Sequence, residues 1–188
     1  AFLMQYDDMM EFSFGQWGPV EMGQKSLGFK SINVGATQIS GLELSISGQG
    51  KINPNLTINI IAGYTYMNPI SLDLDEVYAE TVNGFELTYR NSGSDSTMLK
   101  YRYKHIAKAD VEVVYKGISL GGSMRYNSFM KNIDYIFTQI GGDDGQIPGI
   151  NTAREKFKNG DFIVDLRAGY QITKTARLGL IVNNLLNR

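Results

Sequence analysis

The chain has 188 residues, a formal net charge of −1, no cysteine and a single histidine. Those figures leave room for one domain and exclude a disulfide framework, a thiolate metal site and the basic footprint that nucleic acid requires. No apolar run approaches the ~18 residues of a membrane-spanning helix, whereas a β-barrel passes the same test because its inward-facing half is polar.

Residues 1–14 put Phe2, Met4, Tyr6, Met10, Phe12 and Phe14 on one parity, with Asp8 the misfit, against Gln5, Asp7, Glu11 and Ser13 on the other. Successive side chains of a strand point to opposite faces, so this alternation predicts a strand with one apolar face. A connection from Gly15 to about Leu27 carries the only tryptophan, Trp17. Positions 29–49 predict one very long strand, with Leu42, Leu44 and Ile46 opposite Glu43, Ser45, Ser47 and Gln49. Its polar upper half, with Gln38 and Ser40, is expected to stand clear of lipid, since ~10 tilted residues already cross the ~25 Å apolar band of a barrel.

A short turn at 51–55 leads into a strand over 56–67, with Leu56, Ile58, Ile60, Ala62, Tyr64 and Tyr66 on one face. Residues 68–100 show no sustained alternation and predict a long loop. The clearest strand follows over 101–116: Tyr103, His105, Ala107, Ala109, Val111, Val113 and Tyr115 alternate with Lys104, Ile106, Lys108, Asp110, Glu112, Val114 and Lys116. Tyr103 and Tyr115 bracket its apolar face at a separation of ~30 Å along a barrel axis, about the height of a bilayer's hydrocarbon core.

Strands over 118–130, 161–172 and 175–185 complete the set, with a second long loop over 131–160 and a tight turn near Lys174. The connections alternate long and short, as in outer-membrane barrels with tight periplasmic turns and long extracellular loops. The expectation is an all-β fold: an antiparallel transmembrane β-barrel, here as a seven-stranded fragment. The turns at Asn53, Gly117 and Lys174 would face the periplasm, and loops 15–27, 68–100 and 131–160 would face outward. A barrel of even strand number cannot close with seven strands, and alternation begins at once without a signal peptide. Both ends are therefore expected to be cuts through a larger protein.

Three motifs add a resemblance. Asn33, Gly35, Gly41 and Glu43 form N-x-G-x(5)-G-x-E, a descending strand opens with Arg102 and His105, and Leu180, Val182, Asn184, Leu185, Leu186 and Asn187 form L-x-V-x-N-L-L-N. In this order they resemble the carboxy-terminal third of TonB-dependent outer-membrane receptors, particularly Bacteroidetes-type ones. The resemblance implies a roughly 22-stranded plugged barrel in the outer membrane of a Gram-negative bacterium, with a final strand beyond Arg188. Such a barrel imports a bulky, scarce solute (ferric siderophore, cobalamin or glycan) with energy delivered by TonB. Implied partners are the plug domain, the remaining barrel strands, outer-membrane lipid, the TonB complex and a surface lipoprotein; neither the plug nor a TonB box lies within this chain.

Tyr64, Tyr66, Tyr103, Tyr115, Tyr126, Phe162 and Tyr170 are expected to form aromatic girdles, and His105, on the same parity, to be a girdle residue. The lone His105 has no second histidine or cysteine with which to build a metal or catalytic site; no cofactor is expected, and an enzyme is disfavoured. Glu11, Glu43, Lys104, Lys108, Asp110, Glu112, Arg125, Asp165, Arg167 and Arg177 are candidates for the lumen or plug-facing side, paired with one another or, less often, touching solute. Trp17, Tyr78, Phe85, Tyr89 and Tyr135 are candidate ligand contacts, because binding groups concentrate on loops held by a rigid scaffold. Asp73, Asp75, Glu76 and the pair Asp143–Asp144 could in principle hold calcium, but their spacing matches no EF-hand pattern. The alternative to transport is a structural or scaffold barrel within a larger outer-membrane assembly.

Overall fold

The computed structural model describes residues 1–18, 26–139 and 147–188. Its elements in chain order are β1 (Phe2–Tyr6), β2 (Met10–Trp17), β3 (Ser26–Asn33), β4 (Thr37–Asn53), β5 (Leu56–Ser71), β6 (Val77–Glu80), β7 (Glu86–Thr88) and α1 (Tyr89–Ser92), then β8 (His105–Tyr115), β9 (Ile118–Asn127), α2 (Tyr135–Gln139), α3 (Ile150–Lys156), β10 (Asp161–Gln171) and β11 (Arg177–Val182). They divide into two compact units.

One unit comprises Leu42–Tyr66, His105–Phe129 and Asn159–Arg188. It is an antiparallel meander in which each strand pairs with its neighbour in the order β4-β5-β8-β9-β10-β11. A two-residue turn joins β8 to β9 through Lys116 (φ 47°) and Gly117 (φ 84°), with Tyr115 opposite Ile118. Two consecutive positive φ angles give a hairpin turn whose twist matches that of the strands; glycine adopts the second without strain. The sheet is open and all-antiparallel, with solvent-accessible apolar residues along its strands. It is the fold expected for a portion of barrel wall.

The other unit comprises Ala1–Gly41, Met67–Lys104 and Met130–Lys158. Here β1 pairs with the start of β4, Phe2 opposite Gly41 through Tyr6 opposite Thr37. β2 and β3 form a hairpin from Met10 opposite Asn33 to Trp17 opposite Ser26, and β6 and β7 form a small ribbon. A buried cluster of Ile32, Val34, Tyr89 and Leu99 holds this unit together.

Several strands are shorter than alternation predicts, each for a local reason. The stretch 29–49 breaks between β3 and β4 at Gly35, which has φ 73°. Its amide donates to Asn33 Oδ1 at 2.8 Å, and a Cβ there would collide with the Asp73 and Glu76 side chains. The N-x-G motif is therefore an Asx-type turn that only glycine fits. The stretch 1–14 breaks between Tyr6 and Met10, where Asp8 leaves the ladder and accepts from Asn33 Nδ2 at 2.8 Å. The stretch 101–116 begins as a strand only at His105: Tyr101 is left-handed (φ 57°) and its amide donates to Asn132 O at 2.8 Å. At the chain's end Asn184 (φ 52°) closes β11, and its amide donates to Asp165 Oδ1 at 2.8 Å. Residues 68–100, expected as loop, contain the end of β5, the β6–β7 ribbon and α1.

Candidate functional site

Within the meander, pairing register turns the alternation of single strands into rows that run across the sheet. Tyr64, Ala107, Tyr126 and Phe162 stand opposite one another in one row. Ile60, Val111, Gly122, Leu166 and Val182 make another, and Leu56, Tyr115, Ile118, Tyr170 and Leu178 a third. All share one face. The Tyr126 and Phe162 rings lie 4.6 Å apart by centroid; His105 stacks on Tyr64 (6.1 Å), lies tilted beside Tyr66 (5.2 Å), and its Nδ1 meets Tyr64 Oη at 2.7 Å. Tyr115 lies ten residue steps along β8 from His105. At ~3.3 Å per residue and ~40° tilt, that is about 25 Å of barrel height, the usual height of the apolar band. Tyr103 is not part of this arrangement: it lies outside β8, because the chain leaves the extended conformation before it.

The opposite face of the same sheet is ion-paired. Arg167 donates both Nη atoms to Asp110 at 2.7 Å, and its Nε lies 3.9 Å from Glu112. Asp165 accepts from Ser123 Oγ at 3.2 Å and sits 3.5 Å from Arg125; Arg177 donates to Ser119 Oγ at 2.6 Å. Two glycines make space for the long side chains: a Cβ on Gly121 would come within 2.6 Å of Arg167 Nε, and one on Gly169 within 2.7 Å of Arg177 Nη2. Lys108 stands opposite Gly63 and Arg125 on this face, and Glu43 is exposed on β4. Lys104 falls outside β8, in the other unit.

In that other unit the polar side chains turn inward. The Glu11 and Ser13 side chains on β2 are buried, whereas Met10 and Phe12 are exposed. Lys100 and Asp134, each 1% exposed, form an ion pair at 2.5 Å. Lys100 Nζ also donates to Ser92 Oγ at 2.9 Å and Ser13 Oγ at 3.0 Å, and lies 5.4 Å and 5.6 Å from the ring centroids of Tyr89 and Tyr78. Asp134 Oδ2 accepts from the Phe14 amide at 3.3 Å and from the Tyr101 hydroxyl. Glu11 accepts from Tyr89 Oη at 2.9 Å and from Arg102 Nη2 at 3.0 Å. Burial is the largest influence on Glu11 and lifts its carboxyl above the usual range, while Arg102, the Tyr89 hydroxyl and Lys100 hold it back. Burial, and then the facing carboxylates, push the Tyr89 and Tyr101 hydroxyls up, so both remain protonated donors.

This arrangement changes the reading of several candidates. Tyr89, expected as a ligand contact, is 2% exposed and belongs to the core, because its hydroxyl bridges Glu11 and the Lys100 amide. Glu11, expected to face the lumen, is 7% exposed within the same network. Tyr78 is half-buried and accepts from Ser13 Oγ at 3.2 Å; Trp17 donates to Gly28 O at 2.8 Å with Lys30 Nζ 5.3 Å from its ring centroid. Phe85 and Tyr135 remain exposed and line one concavity of about 500 Å3, together with Phe14, Leu27, Leu87 and Ile136. Asp75 is held by Arg90 at 2.7 and 2.9 Å and Asp73 by the Ala36 amide at 2.6 Å; Asp143–Asp144 lie outside the described residues. Lys100, Asp134 and Ser92 carried no signal in the sequence, since none falls in a periodic pattern, and the alternation over 1–14 placed Ser13 only on a polar face.

A family model described as TonB dependent receptor-like, beta-barrel, matches residues 1–185. No curated protein and no solved structure matches the chain.

Proposed function

The chain belongs to the TonB-dependent receptor-like β-barrel family, and from that membership we propose that it is part of an importer of a bulky, scarce solute such as a ferric siderophore, cobalamin or a glycan. Membership places it in the outer membrane of Gram-negative bacteria and makes TonB-dependent transport its general activity, with the plug domain and the TonB complex as partners. The observation that supports import most directly is the two-sided sheet. Its apolar rows suit contact with acyl chains, and its paired Arg167–Asp110 and Arg125–Asp165 face suits a polar lumen around a plug. In this reading Glu43, Lys108, Asp110, Glu112, Arg125, Asp165, Arg167 and Arg177 line the lumen or meet the plug.

The test is accumulation of radiolabelled ferric siderophores, cobalamin and oligosaccharides in cells with and without the gene, with and without a protonophore. Import predicts that at least one solute needs both the gene and the proton gradient. Unchanged accumulation of every solute on deletion overturns it. One observation favours a docked partner, such as a surface lipoprotein. Exposed Phe12 and Phe29 on the β2–β3 hairpin stack at 6.2 Å, and Phe29 stacks on Phe137 at 5.7 Å, leaving an aromatic surface open. If substitutions at Phe12 and Phe29 abolish co-purification of a lipoprotein while uptake never depends on the gene, the scaffold reading replaces import.

A further inference from the structure

Resting on the import reading, the concavity beside β2 points to the class of solute. Its walls are Phe14, Leu27, Phe85, Leu87, Tyr135 and Ile136, and its volume of about 500 Å3 lies within the range of ligand pockets. Phe85 is 56% and Tyr135 45% exposed, so two aromatic faces stand open rather than packed.

Most acceptors on the same described wall are already committed. Gln16 Oε1 accepts from the Val82 amide at 2.8 Å, and Thr81 Oγ1 from the Phe85 amide at 3.0 Å. Asn91 accepts from the Thr88 amide and donates to Glu86 O, both at 2.9 Å. Ser92 and Asp134, at the base, are both bonded to Lys100. Asp134 is the one carboxylate among the described lining residues, and the buried lysine compensates its charge.

Among the described lining residues no charge is left uncompensated for a charged ligand, and the donors still open to a ligand, the Tyr135 and Thr81 hydroxyls and Gln16 Nε2, are few beside the apolar and aromatic wall. Burying a charged group or many hydroxyls against it would strip more water than these few donors return. Flat apolar groups suffer no such loss and gain dispersion and edge or face contacts with the rings. We propose that this pocket seats an uncharged aromatic group carried by the imported solute, and that the hydrophilic remainder of the solute stays outside it.

The test uses the intact receptor in lipid nanodiscs and two water-soluble probes, phenyl β-D-glucopyranoside and methyl β-D-glucopyranoside. Saturation-transfer NMR should show transfer to the phenyl protons and none to the methyl glucoside. The Phe85→Ala and Tyr135→Ala variants change exposed side chains and should each raise the Kd of the phenyl probe about fivefold or more. Equal signals from the two probes on the unaltered receptor, or unchanged phenyl binding in both variants, would overturn the proposal; the probe comparison needs no variant to fold. If the phenyl probe fails to bind while gene-dependent, protonophore-sensitive uptake persists, the aromatic assignment alone is lost. If uptake itself proves independent of the gene, the import reading is lost.

Discussion

Substituting Lys100→Met isolates what the buried ion pair contributes to the unit built from residues 1–41, 67–104 and 130–158. Methionine retains an apolar stem of similar length but removes the ammonium, its contacts at 2.5, 2.9 and 3.0 Å to Asp134, Ser92 and Ser13, and the approach to the Tyr78 and Tyr89 rings. Asp134 then keeps only the Phe14 amide, Ser13 and the Tyr101 hydroxyl against a negative charge that is 1% exposed. Breaking a buried pair by deleting one partner costs about 3–5 kcal/mol, because the survivor's charge is left uncompensated. At about 1.4 kcal/mol per tenfold, local opening should become about 100- to 4000-fold more frequent. The amides to monitor by hydrogen exchange are Lys100, bonded to Tyr89 Oη at 2.5 Å, and Tyr101, bonded to Asn132 O at 2.8 Å. The double variant Lys100→Met with Asp134→Leu should lose clearly less than the two single changes summed, since it leaves no orphaned charge. Protection within about fivefold of the unaltered receptor in Lys100→Met would refute the reasoning, since it corresponds to about 1 kcal/mol or less.

Three further outcomes follow from the same contacts. Glu11 has a carboxyl raised mainly by burial. A group more basic folded than unfolded gives its full stabilisation below the unfolded pKa and loses it as pH rises through the folded one. Protection of the network amides should therefore decline from about pH 4 toward neutrality, and Glu11→Gln should flatten that slope; an identical slope in the variant contradicts it. Gly121 and Gly122 are neighbours on opposite faces, with an added Cβ 2.6 Å from Arg167 Nε at the first and 3.4 Å from Leu166 Cδ2 at the second. Gly121→Ala should displace Arg167 from Asp110 and lower the urea midpoint of the folded barrel in lipid vesicles, while Gly122→Ala leaves it nearly unchanged; equal effects would count against the two-face assignment. Leu166→Arg, on the apolar face, should cost about 2–4 kcal/mol in the same vesicle assay if it lies near the bilayer midplane. Ser123→Arg on the ion-paired face should cost much less, and a reversed order would exclude the lipid-facing reading.

The sequence by itself determined the strands of the meander and which residues share each face. An alternation of period two records the side on which every side chain lies, whatever the strand pairs with. That is why Val111, Leu166 and Leu178 could be assigned to one face and Asp110, Arg167 and Arg177 to the other without coordinates. Only the tertiary structure decided the register that joins Tyr64, Tyr126 and Phe162 into one row, and the left-handed Tyr101 that removes Tyr103 from it. It alone also decided the site in the other unit. Lys100 and Asp134 lie 34 residues apart, and Ser13 lies 87 residues from Lys100. No local pattern reports a contact at that separation, because burial of a lysine there depends on the carboxylate, hydroxyls and rings that distant segments bring to it. Tyr89 shows the same limit from the other side: as a loop tyrosine it invited assignment to a ligand, but the fold has claimed its hydroxyl for Glu11 and the Lys100 amide.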